Sequence, residues 1–575
     1  MAEENKPSPT EGIKEQSGFL LGGMGTEMVD GLDHFGKTSE SLLKFHGTYQ
    51  QDNRDAREAA RAGEGKKYKT FIFMVRTKIP GGKLTSQQLL AELDLADELG
   101  NASLRITSRQ GLQLHGVIKN DLKRAIARIN EIQLSTLGAC GDVNRNVMCC
   151  PAPYKKAIYA ETQALADKLA AHFAPRTPAY HQLWLTDVAT GEKQLASDPW
   201  QVEPIYGAHY LPRKFKIAIA FAFDNCIDVY TNDLGLIAVV KDDHVVGYDL
   251  VVGGGQGRTP SAAKTFPALA KRMCYVTAEQ APAVVEAVVK VQRDFGNRSD
   301  RKLARLKYLI HNWGIDAFKA KVEEYYGQPL APPTDEDVYG FNDHMGWDEQ
   351  GDGNLFYGLN IENGRIKDTD TMQLKTAIRA ICRELQPGIR LTSHQSILFT
   401  DVAPADRGRL EQILKDHGVK LTEEISQVRR WSMACVAWPT CGLSITEAER
   451  ELPNILDQLE VELARLGLAS EQFTVRMTGC PNGCARPYNS DVGLVGKARG
   501  KYTVFLGGRL LGNRLNFIYK DMVPEEEVVH SIVPAFVYFK QARLPGEAFG
   551  DFCHRKGKED LLAFDALSTG QLAAS

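Results

Sequence analysis

The chain of 575 residues contains no run approaching the ~18 consecutive apolar residues of a membrane-spanning helix, so no membrane role is expected. It also lacks a charge excess. Its 69 Lys and Arg stand against 72 Asp and Glu, which gives no electrostatic footprint for bulk binding of nucleic acid and leaves only local basic patches. No apolar leader opens the polar start MAEENKPSPTEG, and the eleven cysteines are an odd number. These features exclude a small disulfide scaffold and predict a cytoplasmic protein whose thiolates remain available to metals. Flavin and nicotinamide motifs are missing too. The glycine run VVGGGQGRTP at 251–260 lacks the spacing of a dinucleotide fingerprint; read alone it is a tight turn whose amides can approach an anion.

Four cysteines stand in two short pairs, Cys435 and Cys441 in ACVAWPTCG, and Cys480 and Cys484 in GCPNGCARP. Five residues separate the first pair and three the second, with Pro481 directly after a cysteine. That pattern suits an iron–sulfur cluster better than zinc, with unligated thiols as the remaining alternative. Between the pairs, Pro453 opens a predicted helix on which Ile455, Leu456, Leu459, Leu463 and Leu466 share a face up to Gly467. A strand-like FTVRM at 473–477 then delivers the second pair.

An internal repeat organises the rest. LRITSRQGLQLHGV at 104–117 is echoed by IRLTSHQSILFTDV at 389–402, so Arg105, Thr107 and Gln110 correspond to Arg390, Thr392 and Gln395. Each copy follows a Gly-containing turn and a helical stretch. The chain therefore reads as two related halves joined through the Pro- and acid-rich run at 328–353, after a polar arm of about 40 residues. Taken as one strand, the first copy puts Leu104, Ile106, Leu112 and Leu114 on one face and Arg105, Thr107, Arg109, Gln113 and His115 on the other. A solvated strand face is the plain alternative. The equivalent face at 390–400 is poorer in cations, which points to one half holding a polyanion. Further cations are Arg76 and Lys78 in FMVRTKIPGG, Arg145 in GDVNRNVM, and Lys214 and Lys216 flanking Phe215, although lysines also guard strand edges. Cys149 and Cys150 form an unusual doublet in NVMCCPAP, read as two buried thiols.

In the two cysteine motifs, and in FHGTYQQDNRD, MVRTKIPGG, LRITSRQGLQLHG, GACGDVNRNV, LPRKFK and VGGGQGRT, the chain resembles the assimilatory sulfite reductase hemoproteins, relatives of the siroheme nitrite reductases. The resemblance implies an oxidoreductase of sulfur assimilation and cysteine biosynthesis. It would reduce sulfite to sulfide by six electrons at a siroheme coupled to a [4Fe-4S] cluster through a shared cysteine. An α+β fold is implied, a pseudo-twofold repeat with two ferredoxin-like subdomains and two larger α/β siroheme- and cluster-binding domains. The expected divisions are an arm at 1–65, repeats at 66–137 and 344–419, a siroheme and substrate domain at 138–343, and an iron–sulfur domain at 420–575. Carried over by motif, Cys435, Cys441, Cys480 and Cys484 would ligate the cluster, with Cys484 also on the siroheme iron. Arg76, Arg145, Lys214 and Lys216 would hold the substrate anion; Arg105, Arg109, Gln113, His115 and Asn482 would bind the cofactor; the face at 390–400 would be an empty relic. The expected electron donor is ferredoxin, or else an NADPH-fed flavoprotein. Nitrite reduction is the near alternative, and a zinc-organised non-catalytic binding protein the distant one.

Overall fold

The computed structural model describes residues 6–64, 69–180, 184–196, 203–260 and 262–573. Each echoed segment folds as a hairpin rather than as one strand. In the first copy β4 (Leu104–Ile106) turns into β5 (Leu112–Val117), after β1 (Thr48–Asp52), β2 (Phe71–Thr77) and β3 (Lys83–Thr85). The turn forms because Gln110 takes a left-handed backbone (φ 54) and the Thr107 hydroxyl accepts from the Gly111 amide at 3.1 Å. Arg109 thereby leaves the strand face for the turn. Register nevertheless sets Arg105 opposite Gln113, so the apolar residues still share one face.

The second half repeats this plan with β13 (Gly346–Glu349), β14 (Leu355–Leu359), β15 (Arg365–Ile366), β16 (Gly388–Leu391) and β17 (Ile397–Val402). Each half lends its short strand to the other. The two antiparallel sheets run β1-β2-β5-β4-β15 and β13-β14-β17-β16-β3, and one apolar core fills the space around both. Glycine permits the exchange: a Cβ on Gly82 (φ 71) would stand 2.4 Å from the Leu391 carbonyl oxygen, and one on Gly364 (φ 74) 2.3 Å from that of Ile106.

Two larger sheets carry their own cores and share a single topology. One joins β6 (Met148–Cys149), β9 (Ile217–Phe221), β10 (Leu234–Lys241), β11 (His244–Val252) and β12 (Lys271–Thr277), with β7 (Trp184–Thr186) and β8 (Lys193–Leu195) as a separate ribbon. The other joins β18 (Ser432–Ala434), β19 (Val475–Thr478), β20 (Val492–Ala498), β21 (Lys501–Leu506) and β22 (Phe517–Pro524). In each, the first two pairings are parallel and the last two antiparallel.

The N-terminal segment is built into the fold. β1 edges the first sheet, and the helix Pro9–Glu15 seats the buried Lys14 on the Leu211 carbonyl at 2.8 Å and on Glu11 at 2.6 Å. Among the described residues, no helix is long and apolar enough to cross a membrane.

Candidate functional site

The predicted helix is present at Leu452–Leu466, closed by Gly467 in a left-handed conformation. It links two parallel neighbours, β18 and β19, whose carboxyl ends open on the same side and carry the two cysteine loops. The loops are tied together where the Gly479 carbonyl accepts from the amides of Ile445 at 2.8 Å and Thr446 at 3.1 Å. The glycine run that read as a turn holds the CPNGC turn from the other domain. Arg258 donates its amide to the Pro481 carbonyl at 2.8 Å, and Gln256 accepts from the Tyr488 amide at 3.2 Å. Arg54, which spacing did not single out, donates to the carbonyls of Pro439, Cys441 and Ser444 at 2.6–2.9 Å, its guanidinium 3.7 Å from the Trp438 ring centroid. The motif FHGTYQQDNRD had pointed to this stretch without giving its role.

The four thiols act on one another. Burial, then Cys484, Cys480 and Cys441, push the Cys435 thiol well above its ordinary range; burial and Cys484 bring Cys480 up to about 12. Cys435, Cys441 and Cys480, all held above the ordinary thiol range, resist ionising together unless a cationic core lies among them. They are also more widely spread than ligands of a single ion, because the one set of ligand-type atoms found within 4.8 Å of one another among the described residues lies elsewhere. This donor set fits an iron–sulfur cluster. Of the eleven cysteines, Cys484 alone is exposed.

Beside the quartet, sheet register aligns Arg76, Gln113, Arg105 and Arg365 in one row across four strands. With its amide oxygen turned toward Arg76, Gln113 accepts from Arg76 Nε at 3.1 Å, while Arg76 Nη1 lies 2.8 Å from Cys140 Sγ. Arg105 is committed to protein partners, Glu449 at 2.8 Å and the Ala434 carbonyl at 2.8 Å, and so supports the base of the Cys435 loop. Arg365 shares Glu449 at 2.6 Å. Arg109 bridges Asn232 and the Asn146 and Ile217 carbonyls, Arg145 turns back onto the Gly141 and Ala139 carbonyls, and Asn482 lies 3.5 Å from Cys480 Sγ. Lys78 sits away from the row, anchored on the Ala170 carbonyl.

Lys214 and Lys216 stand just before β9, on either side of the buried Phe215. Both lie deep in the protein yet keep accessible surface, so they line an internal recess. Burial and then crowding by Arg213 and Arg305 bring Lys214 down to about 7; burial, Arg109 and Lys214 hold Lys216 well below its usual range. Lys307, brought down to about 6 by burial and Arg305, belongs to the same basin. Cys484 is within electrostatic reach of both Arg76 and Lys214. Arg109 Nε, beside Lys216, has no partner, and neither have the two ring nitrogens of His115, which neighbours Arg76, Arg105 and Arg365 in the row. Cations crowded to the point of losing protons, beside orphaned polar atoms, fit a polyanionic cofactor such as siroheme.

Two separate cavities, of about 470 and 650 Å³, open at Arg390 and at His115 beside Trp438. The hairpin turn of the second copy is enclosed by protein side chains. Its His394 packs edge-on to Phe341 at 5.2 Å and Trp431 at 6.3 Å, and burial with Arg476 and Arg486 keeps it neutral, its pKa lowered to about 3. Phe341 and Trp431 enclose His394, while Arg390 and Thr400 line the first of the two cavities.

A model of the nitrite and sulphite reductase 4Fe-4S domain matches residues 140–330, and a model of the nitrite/sulfite reductase ferredoxin-like half domain matches twice, at 65–132 and 348–417. The chain is also 43% identical to "Sulfite reductase [ferredoxin]" of Synechococcus elongatus, over 98% of this chain and 92% of that one. The chain belongs to the nitrite and sulfite reductase family. A second member, "Sulfite reductase [NADPH] hemoprotein beta-component" of Staphylococcus haemolyticus, is 42% identical over 97% of this chain and 96% of its own. The solved structure of Mycobacterium tuberculosis NirA shares the fold at a TM-score of 0.79 and 26% identity, covering 97% of this chain and 98% of that chain. The family's repeat matches the paired sheets described above. Its 4Fe-4S model falls on the half that holds the cationic basin rather than the quartet.

Proposed function

We propose that this protein is a sulfite reductase hemoprotein that reduces sulfite to hydrogen sulfide. The observation that carries this reading is Cys484: the one exposed thiol lies on the turn that completes the quartet and within reach of Arg76 and Lys214. Cys435, Cys441, Cys480 and Cys484 would hold a [4Fe-4S] cluster, and Cys484 would also ligate the siroheme iron. When bound, the two groups would pass on, one at a time, the six electrons that the external donor delivers.

The remaining chemistry belongs to the chain. Arg76, Arg145, Lys214 and Lys216 bind the anionic oxygens in a recess shielded from bulk water. Each departing oxygen leaves as water and needs two protons. Lys214 and Lys216, side by side in the recess, would donate these protons, their ammonium forms favoured by the anions they face. Arg109 and His115 would meet the carboxylates of siroheme, with Gln113 and Arg105 orienting the row behind them and Asn482 steadying Cys480.

Ferredoxin is the proposed electron donor, with an NADPH-fed flavoprotein as the second reading, favoured by relatives of equal identity. Nitrite, also a small anion, fits the same basin. Steady-state turnover of sulfite and nitrite, with each donor in turn, separates these readings. Lys216→Ala is expected to depress sulfite turnover far more than siroheme content; equal loss of both would make Lys216 a structural residue.

A further inference from the structure

Away from the quartet, four buried side chains converge: Cys150, Asp224, Cys226 and His344, with ligand-type atoms all within 4.8 Å of one another. Cys150 Sγ lies 3.0 Å from Asp224 Oδ2 and 3.5 Å from His344 Nε2, and that nitrogen lies 2.9 Å from Asp224 Oδ2. They come from three segments: the end of β6, the turn after β9, and the approach to β13. Asp224 is oriented in advance. Its Oδ1 accepts from the backbone amides of Cys226 at 3.1 Å and Asn342 at 3.2 Å, which leaves Oδ2 directed at the thiol and the imidazole.

Sheet register shows where this set sits in the repeat. Ala218 pairs with Met148 and Gly235 in one large sheet, as Arg476 pairs with Met433 and Gly493 in the other. Matching the sheets on these pairs and counting along the chain puts Cys150 on Cys435 and Cys226 on Cys484, with Asp224 on Asn482. The backbone agrees, because Asp228 (φ 52) then falls on Arg486 (φ 55), both left-handed at the same step. Two of the four quartet positions thus keep cysteine in the half where no cluster was expected.

We propose that Cys150, Asp224, Cys226 and His344 hold a single zinc ion at the pseudo-twofold counterpart of the iron–sulfur site. Two thiolates, an imidazole and a carboxylate form a closed four-donor set of the kind zinc takes in structural sites, and thiolates disfavour magnesium and calcium. Bonds of ~2.3 Å to sulfur and ~2.0–2.1 Å to nitrogen and oxygen imply donor separations of about 3.3–3.8 Å, and Cys150 Sγ, Asp224 Oδ2 and His344 Nε2, at 2.9–3.5 Å from one another, lie within about 0.6 Å of them. The spacing is too tight for a cluster, whose thiols in this same protein stand further apart. Loading replaces the thiol protons of Cys150 and Cys226, which pass to solvent, with no change of oxidation state. The ion would pin the 340–344 connection, which enters the second repeat, to the turn after β9. This also gives the Cys149–Cys150 doublet a role, with Cys150 as the ligand.

The test is zinc analysis and zinc-edge X-ray absorption on the purified holoenzyme from zinc-supplemented growth, neither of which depends on sulfite turnover. The expected result is one zinc per chain with two sulfur and two nitrogen or oxygen neighbours. Cys226→Ser and His344→Gln should each lower zinc content at least tenfold while the visible spectrum of the siroheme is kept. Three outcomes overturn the proposal: less than about a tenth of a zinc per chain in the unaltered holoenzyme, a disulfide joining Cys150 and Cys226, or zinc content unchanged in both variants. The first two need no variant to fold.

Discussion

Gly483 in the CPNGC turn offers a sharp test of how the cysteine loops are held. Its φ of +63 is left-handed, and an added Cβ would meet Gln256 Cβ and Tyr488 Cε2 at 3.0 Å each. Neither neighbour swings away easily: the Tyr488 hydroxyl donates to the Pro481 carbonyl at 3.1 Å, and its amide donates to Gln256 Oε1. Gly483→Ala therefore combines left-handed strain of ~1 kcal/mol with overpacking of ~1–3 kcal/mol, about 2–4 kcal/mol against the docked turn. At 1.4 kcal/mol per factor of ten, that shifts the turn's docking equilibrium by roughly 30-fold to several hundred-fold. Gly327→Ala is the control. Its φ is +89 but nothing lies within 4 Å of the new Cβ, so it carries the strain without the contact. Cofactor content of the purified variants, measured by iron analysis and visible absorbance, should fall severalfold for Gly483→Ala and stay unchanged for Gly327→Ala. Full cofactor content in Gly483→Ala would refute the claim that the glycine loop at 253–257 clamps this turn.

Glu449→Gln removes the carboxylate that Arg105 and Arg365 share, leaving buried guanidinium charge uncompensated at a cost of about 3–5 kcal/mol. Thermal unfolding and iron content should both drop, and a variant matching the parent would show that the row needs no counter-charge. Burial raises the Glu92 carboxyl to about 7, from 4.5. The folded state therefore favours the protonated acid, and this stabilisation, complete below pH 4.5, is lost as pH rises to 7, by ~3 kcal/mol. Glu92→Gln should accordingly gain stability relative to the parent above pH 7 and none below pH 4.5, as read by urea unfolding across that range; a difference independent of pH would sink the assignment.

The sequence made the repeat legible because a period of two survives a hairpin: Leu104, Ile106, Leu112 and Leu114 share a face whether the chain runs straight or turns. The turn itself was missed because Gln110, unlike glycine or asparagine, gives no warning of a left-handed backbone. The exchange of β3 and β15 was out of reach for a different reason. Strands of two or three residues carry no periodicity, and their partners lie about 300 residues away. At the site, the cations were readable and their counter-charges were not. Glu449 reaches Arg105 from a distant loop, and Gln113 accepts from Arg76 across the sheet, contacts that the spacing of a single strand does not reveal. The surroundings of His394 were equally out of reach, because sequence shows what a segment carries and not what packs onto it, here Phe341 and Trp431.

The central claim is that the sulfurs of two loops enclose iron and that one of them, Cys484, continues to the siroheme. A Mössbauer spectrum of the iron-enriched, oxidised holoenzyme tests it most directly, since a shared thiolate transmits magnetic exchange between the two groups. The account predicts that cluster and heme iron respond as one coupled unit. A diamagnetic cluster beside a magnetically independent heme, or no cluster signal at all, would contradict it.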